Sequence, residues 1–201
     1  AMNTPLRAES AMAKASRRLP GASECGCVSG SWEPVNTTGI AMPGLLYLSQ
    51  ALAGQAGLAL AHARELLPSV DWYGAVVPTV FGIDAELDPD SPALLVALLP
   101  VPSGQWQSTD AGGRSRPPPS SSALLHVSPG LEGIADTVDA CAARFESVVG
   151  GLVASDDASG RSAQYAAGAM FEEACSGIAF SGEVGLRSRL TQGCRPLARE
   201  H

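Results

Sequence analysis

The sequence predicts an α+β fold: a layered sandwich in which a mixed or antiparallel sheet is covered by helices, built from two helix–strand–strand units. Three observations carry this prediction. A chain of 201 residues with 45% hydrophobic and 16% charged side chains has enough apolar material to bury a core. Stretches with helical apolar spacing alternate with short apolar runs of strand length. The order helix, glycine-bearing strand, acidic loop, apolar strand also occurs twice. The first pass runs from Leu58 through Gly74 to Val101, the second from Thr137 through Gly150 and Gly151 to Val184. A helix followed by such a pair of strands must cover one sheet face, and two units side by side would extend one sheet.

Residues 1–44 are polar and weakly patterned and read as a poorly ordered extension. A short helix over Thr4 to Leu19 ends at Pro20–Gly21. The basic residues Arg7, Lys14, Arg17 and Arg18 suit an organelle-targeting segment, against which Glu9, Glu24 and Glu33 count. The Ala-Met start suits a fragment of a longer product. The folded domain is expected over residues 45–197, followed by a short tail, 198–201.

From Leu45 to Leu67, apolar residues at helical spacing (Leu48, Leu52, Ala56, Ala59, Leu60, Ala63, Leu66) predict one helix stopped by Pro68. Trp72 to Val80 reads as a strand, and Gly82 to Pro92 as an acidic loop. Ala93 to Val101 is an unbroken apolar run, as in a strand covered on both faces. Pro102 to Ser122, rich in Gly, Ser and Pro with three consecutive prolines, reads as an exposed inserted loop. Ala123 to Ser128 is a strand, Gly133 to Phe145 an amphipathic helix, and Val148 to Ser155 a strand, followed by a polar loop. Ala163 to Met170 fits a strand or a short helix. Gly177 to Val184 and Gly185 to Thr191 are two strands or one bent strand.

Composition excludes several functions. The net charge of -7, with a single lysine (Lys14) among 13 basic residues, leaves no cationic stripe for a phosphate backbone, so no nucleic-acid partner is expected. No apolar run reaches the roughly 18–20 residues of a membrane span. Five cysteines (Cys25, Cys27, Cys141, Cys175, Cys194) without a leading apolar segment argue for reduced thiols and an intracellular, most simply cytoplasmic, setting. Cys25 and Cys27 lack a second Cys/His pair at zinc spacing, so no metal is expected. There is no G-x-S-x-G elbow, phosphate loop or calcium loop, and an enzyme is not expected.

Two groups of residues remain as site candidates. His126 sits within the strand Ala123–Ser128 and is either a weak candidate haem ligand or base, or a hydrogen-bonded, half-buried histidine. Glycine is costly inside strands unless a bulge or a close approach requires it. Gly150, Gly151, Gly182 and Gly193 therefore mark either turns or a concavity in which a small ligand meets the backbone. Ser181 and Arg195 are the polar groups beside them, and Arg195 suits a carboxylate.

The segments Val148–Leu152 (VVGGL), Gly177–Val184 (GIAFSGEV) and Gln192–Pro196 (QGCRP) resemble, in order and spacing, the N-terminal half of the FIST domain. The resemblance covers Ala123 to Pro196, thins over Leu45 to Val101 and is absent from Ala1 to Gly44. QGCRP is its most specific piece. It implies a non-enzymatic sensory, ligand-binding module of a signal-transduction protein, with amino-acid-like ligands. Some bacterial members are described as haem-dependent sensors. Some eukaryotic members carry an F-box, which implies an alternative role as a protein-interaction scaffold that recruits substrates to a ubiquitin ligase. Two departures stand out: the insertion at Pro102–Ser122, and an end where the family's C-terminal half would begin.

Overall fold

The computed structural model describes residues 41–78, 80, 92–110, 121–153, 163–172 and 174–188. The expected extension before residue 41, the acidic loop, the polyproline stretch, the polar loop after residue 153 and the QGCRP ending lie outside the described residues.

Among the described residues, nine strands and two α-helices make an α+β sandwich. Strands β1 (Met42–Ser49), β2 (Val70–Val77) and β3 (Leu94–Leu98) form the first half, with helix α1 (Ala56–Leu66) between β1 and β2. Strand β4 (Trp106–Asp110) follows. The second half is β5 (Ser122–Val127), helix α2 (Ile134–Arg144), β6 (Ser147–Leu152), β7 (Gln164–Ala166), β8 (Ala169–Phe171) and β9 (Cys175–Phe180). One sheet has the order β3-β1-β2-β7-β8 and the other β4-β9-β5-β6.

The repeat is real and larger than the sequence suggested. Each half opens with a strand, crosses through a helix to a parallel neighbour, and returns antiparallel on the other side of its first strand. Thus β1 pairs parallel with β2 and antiparallel with β3, while β5 pairs parallel with β6 and antiparallel with β9. The halves do not extend one sheet, as expected from the sequence; they form two sheets packed face to face.

Alternation along the strands sorts the side chains into three buried layers. Leu46, Leu48, Val70, Trp72 and Val76 pack under α1 with its Ala56, Ala59, Leu60 and Ala63. Ala123, Leu125, Val127, Cys175 and Ala179 pack under α2 with Cys141 and Phe145. Tyr73, Ile178 and Phe180, with Leu45, Trp106 and Leu124 partly buried beside them, fill the space between the sheets. The order is therefore helix, sheet, sheet, helix. Nearly every central strand is covered on both faces, so small residues in the helices let the backbones approach.

Four elements differ from the sequence reading, one of them residues 185–188, which follow the turn at Gly182 without forming the expected strand. The expected helix over Leu45–Leu67 is a strand (β1), a 3-10 turn (Gln50–Gln55) and then α1. Burial of β1 on both faces removes the alternation that marks a strand, and its leucines happen to continue the helical spacing of α1. The segment 102–122 is not all loop, because Trp106–Asp110 pairs antiparallel with β9 as an edge strand. Ala163–Met170 is a hairpin whose two turn residues, Ala167 and Gly168, have φ of 49° and 75°. Two successive positive φ values are the twist-matched connection of a tight hairpin.

Gly74 and Gly150 hold equivalent places. Gly74 in β2 faces Leu46 of β1, and Gly150 in β6 faces Leu125 of β5. A Cβ at Gly74 would land on the Leu46 carbonyl oxygen, and one at Gly150 on that of Leu125. Both glycines are thus explained by close backbone approach within a parallel pair.

Candidate functional site

The layer between the sheets carries a polar seam. Tyr47 on β1 and His126 on β5 meet there, hydroxyl to Nε2 at 2.8 Å, with their rings edge to face at 5.4 Å. Tyr73 on β2 reaches Ser108 on β4, oxygen to oxygen at 2.8 Å. Gln164 on β7 donates its amide to Ser128 Oγ at 2.9 Å and to the Ala174 carbonyl at 2.7 Å, and accepts from the Ser176 hydroxyl. Ser176 lies directly opposite His126 in the β5–β9 pairing. Each bond ties one sheet to the other, so the seam sets how the sheets sit together.

Burial governs its electrostatics. Desolvation lowers the His126 imidazole to about 4 and raises the Tyr47 hydroxyl to about 12. Tyr73 is also raised to about 12, first by burial and then by the Asp71 charge, against the Ser108 hydrogen bond. The seam is therefore uncharged near neutral pH. His126 Nδ1 is buried and has no hydrogen-bond partner.

His126 is more deeply buried than a half-buried histidine, at 5% exposure. Its setting does not fit an axial haem ligand, because Nε2 is engaged by Tyr47 and the ring is closed between two sheets. Among the described residues no group of three or more His, Cys, Asp or Glu side chains stands ready for a metal ion. The Cys141 and Cys175 side chains are buried under α2.

The described ones among the remaining residues singled out in the sequence fall in two places. Gly150 and Gly151 lie on the outer strand β6, level with Leu125 and His126. Ser181 and Gly182 follow β9, past the opposite end of β5, where Gly182 turns the chain with φ 69°. Gly193 and Arg195 lie outside the described residues.

A surface cleft of about 420 Å³ opens between the end of α1, the start of β2 and the β7–β8 turn. Arg64, Glu65, Asp71 and the backbone at Ala167–Gly168 line it. Arg64 donates to the Gly168 carbonyl at 3.4 Å, and Glu65 sits 3.6 Å from His62. The lining thus includes one guanidinium and two carboxylates, with Ala61, Pro68 and Val70 beside them. The sequence concealed it, since Arg64 and Asp71 fall on separate elements and the hairpin that walls it was ambiguous.

The FIST N domain model matches residues 44–201. The chain belongs to the FIST N family. FIST domains are a sensory, ligand-binding family of signalling proteins and are non-catalytic. The family match takes in the first half as well, where the resemblance in the sequence was thin. No curated protein and no solved structure gives a significant match. No helix among the described residues is long and apolar enough to cross a membrane.

Proposed function

We propose that this FIST N domain is a non-enzymatic sensor that binds a small, amino-acid-like ligand and passes its occupancy to a signalling partner. The observation that carries the reading is the family match over residues 44–201. The cleft beside α1 supports the ligand chemistry. A zwitterion needs a cation for its carboxylate and a carboxylate for its ammonium group, and Arg64 and Asp71 offer both on one rim. Its volume of about 420 Å³ falls within the roughly 300–1,000 Å³ of small-molecule sites.

Thermal shift of the whole chain against the common amino acids tests this. A true ligand at a hundredfold excess over its Kd adds about 2.7 kcal/mol of stability. Arg64→Ala should abolish the shift without lowering the unliganded Tm. An absence of stabilisation by any amino acid sinks the amino-acid reading.

A protein-interaction scaffold is the second reading. The exposed side chains of Leu152, Met170 and Phe171 favour it. Capture of a defined protein partner, with no small-molecule stabilisation, decides for it.

A further inference from the structure

The duplicated halves differ in one respect that the repeat itself makes measurable. In the first half the outer edge of β2 is covered: β7 pairs along it antiparallel, with Tyr165 opposite Gly74 and Gln164 opposite Ala75. Val76 N–H donates to the Ala163 carbonyl at 2.9 Å, and Gly168 N–H donates to the Trp72 carbonyl at 3.2 Å. Tyr165 packs on the α1 side, in the same cluster as Leu60 and Val76. In the second half no strand among the described residues pairs with the outer edge of β6.

The equivalent positions follow from the register. Gly150 corresponds to Gly74, since each faces a leucine of the parallel neighbour and each forbids a Cβ for the same reason. Leu152 then corresponds to Val76. The two helices are both 11 residues long, so Val138 corresponds to Leu60. Val76 and Leu60 are 2% and 4% exposed, whereas Leu152 and Val138 are 59% and 42% exposed. Burial is lost at the positions that β7 covers in the first half. Val153 N–H bonds inward to the Val127 carbonyl. Successive residues of a strand in a parallel pair turn alternately, so the Leu152 N–H and the Val148 carbonyl point outward. The strand SVVGGL carries no charge or proline to guard this edge.

We propose that the β6 edge receives an antiparallel strand from a partner protein. That strand presents an aromatic side chain over Gly150 and basic residues at its flanks. The aromatic follows from Tyr165 over Gly74. The basic flanks follow from α2, the helix that contacts β6: with its flanking residues it exposes Glu132, Asp136, Asp139 and Glu146 and carries one basic residue, Arg144. A second copy is the poorer occupant, because β6 offers no aromatic to another β6 and the pairing would bring acidic surfaces together. Leu152 N–H donates to the incoming backbone as Val76 does, and Leu152 and Val138 are buried against its side chains.

The test uses the whole chain and a short amidated peptide in which Ala-Gln-Tyr-Ala is flanked by lysines. Fluorescence anisotropy should show saturable binding, with amide shifts centred on residues 148–152. Leu152→Pro removes the outward donor and should weaken binding at least tenfold. Because proline is tolerated on edge strands, the circular dichroism spectrum should be unchanged. Leu152→Lys changes an exposed side chain, keeps the fold and should weaken the basic peptide similarly. A peptide with glutamates for lysines should bind less well. Undiminished binding to both variants, no binding at all, or a concentration-dependent dimer dissolved by Leu152→Lys would overturn the proposal.

Discussion

Tyr47 and His126 occupy the same position in the two halves of the repeat and touch one another. Each stands one residue beyond the leucine, Leu46 or Leu125, that faces the close-approach glycine. Their bond at 2.8 Å therefore joins the halves at matching points across the sheet interface. The two halves thus carry different polar side chains at equivalent points of the repeat. A tyrosine and a neutral histidine form a donor–acceptor pair that two identical imidazoles, both buried, would form only with matched tautomers.

Removing the hydroxyl from this pair leaves both ring nitrogens of His126 buried without a partner. Tyr47→Phe is expected to cost about 1–3 kcal/mol, the desolvation penalty of an orphaned polar group. Denaturant unfolding should show this as a lower midpoint with an unchanged slope. Tyr47→Phe combined with His126→Leu should recover part of the loss, since replacing both partners leaves nothing to satisfy.

Acid should weaken the fold through His126. Its pKa is lowered from about 6.5 to about 4 by burial, so the unfolded chain binds the proton first. The histidine's contribution is fully present above pH 6.5 and is lost as the pH falls toward 4. At one pKa unit per about 1.4 kcal/mol, the loss approaches about 3 kcal/mol. Chemical unfolding at several pH values across this window checks the slope, and His126→Gln should flatten it.

The tyrosines set the alkaline limit. Tyr47 and Tyr73 are both raised to about 12 by burial, so the unfolded chain loses these protons first. Their contribution is present below pH 10 and is lost as the pH climbs toward 12. Ultraviolet difference spectra of tyrosinate formation should coincide with unfolding in the wild type. In Tyr47→Phe the transition should lose part of its steepness.

Gly150 and Gly151 look alike in the sequence and should behave oppositely. A Cβ at Gly150 meets the Leu125 carbonyl, while one at Gly151 meets nothing within 4 Å. Gly150→Ala should be severely destabilising, above about 4 kcal/mol, because the Cβ meets paired backbone that cannot move aside. Gly151→Ala should change stability by no more than about 0.5 kcal/mol, as at an ordinary surface site. Gly74→Ala should match Gly150→Ala, with added strain from its φ of 146°. Thermal melts of the three variants decide the matter.

The second half of the fold was the more readable from sequence. Helix α2 has one apolar face and β6 is bounded by turn residues, so period and length both pointed the right way. Strand β1 was hidden because Leu45, Leu48 and Leu52 satisfy a helical period. Strand β4 has the sequence WQSTD, whose polar residues are held by pairing with β9 rather than by any apolar pattern of their own. Two sheets were taken for one because residues buried on both faces do not say which neighbour they face. The polar seam was legible only at His126. Tyr47, Ser128, Gln164 and Ser176 are ordinary residues in a single sequence and become a network only when the sheets are stacked.

The loan of one hairpin binds the two halves to a common fate. Strands β7 and β8 belong by sequence to the second half, yet they complete the sheet of the first. The β2 edge must wait for residues translated long after it, so a ribosome releases the first half with that margin bare. Cleavage between the halves should accordingly yield no soluble amino-terminal fragment. Co-expression of both pieces should restore one, because complementation in trans would return the borrowed strands to their sheet.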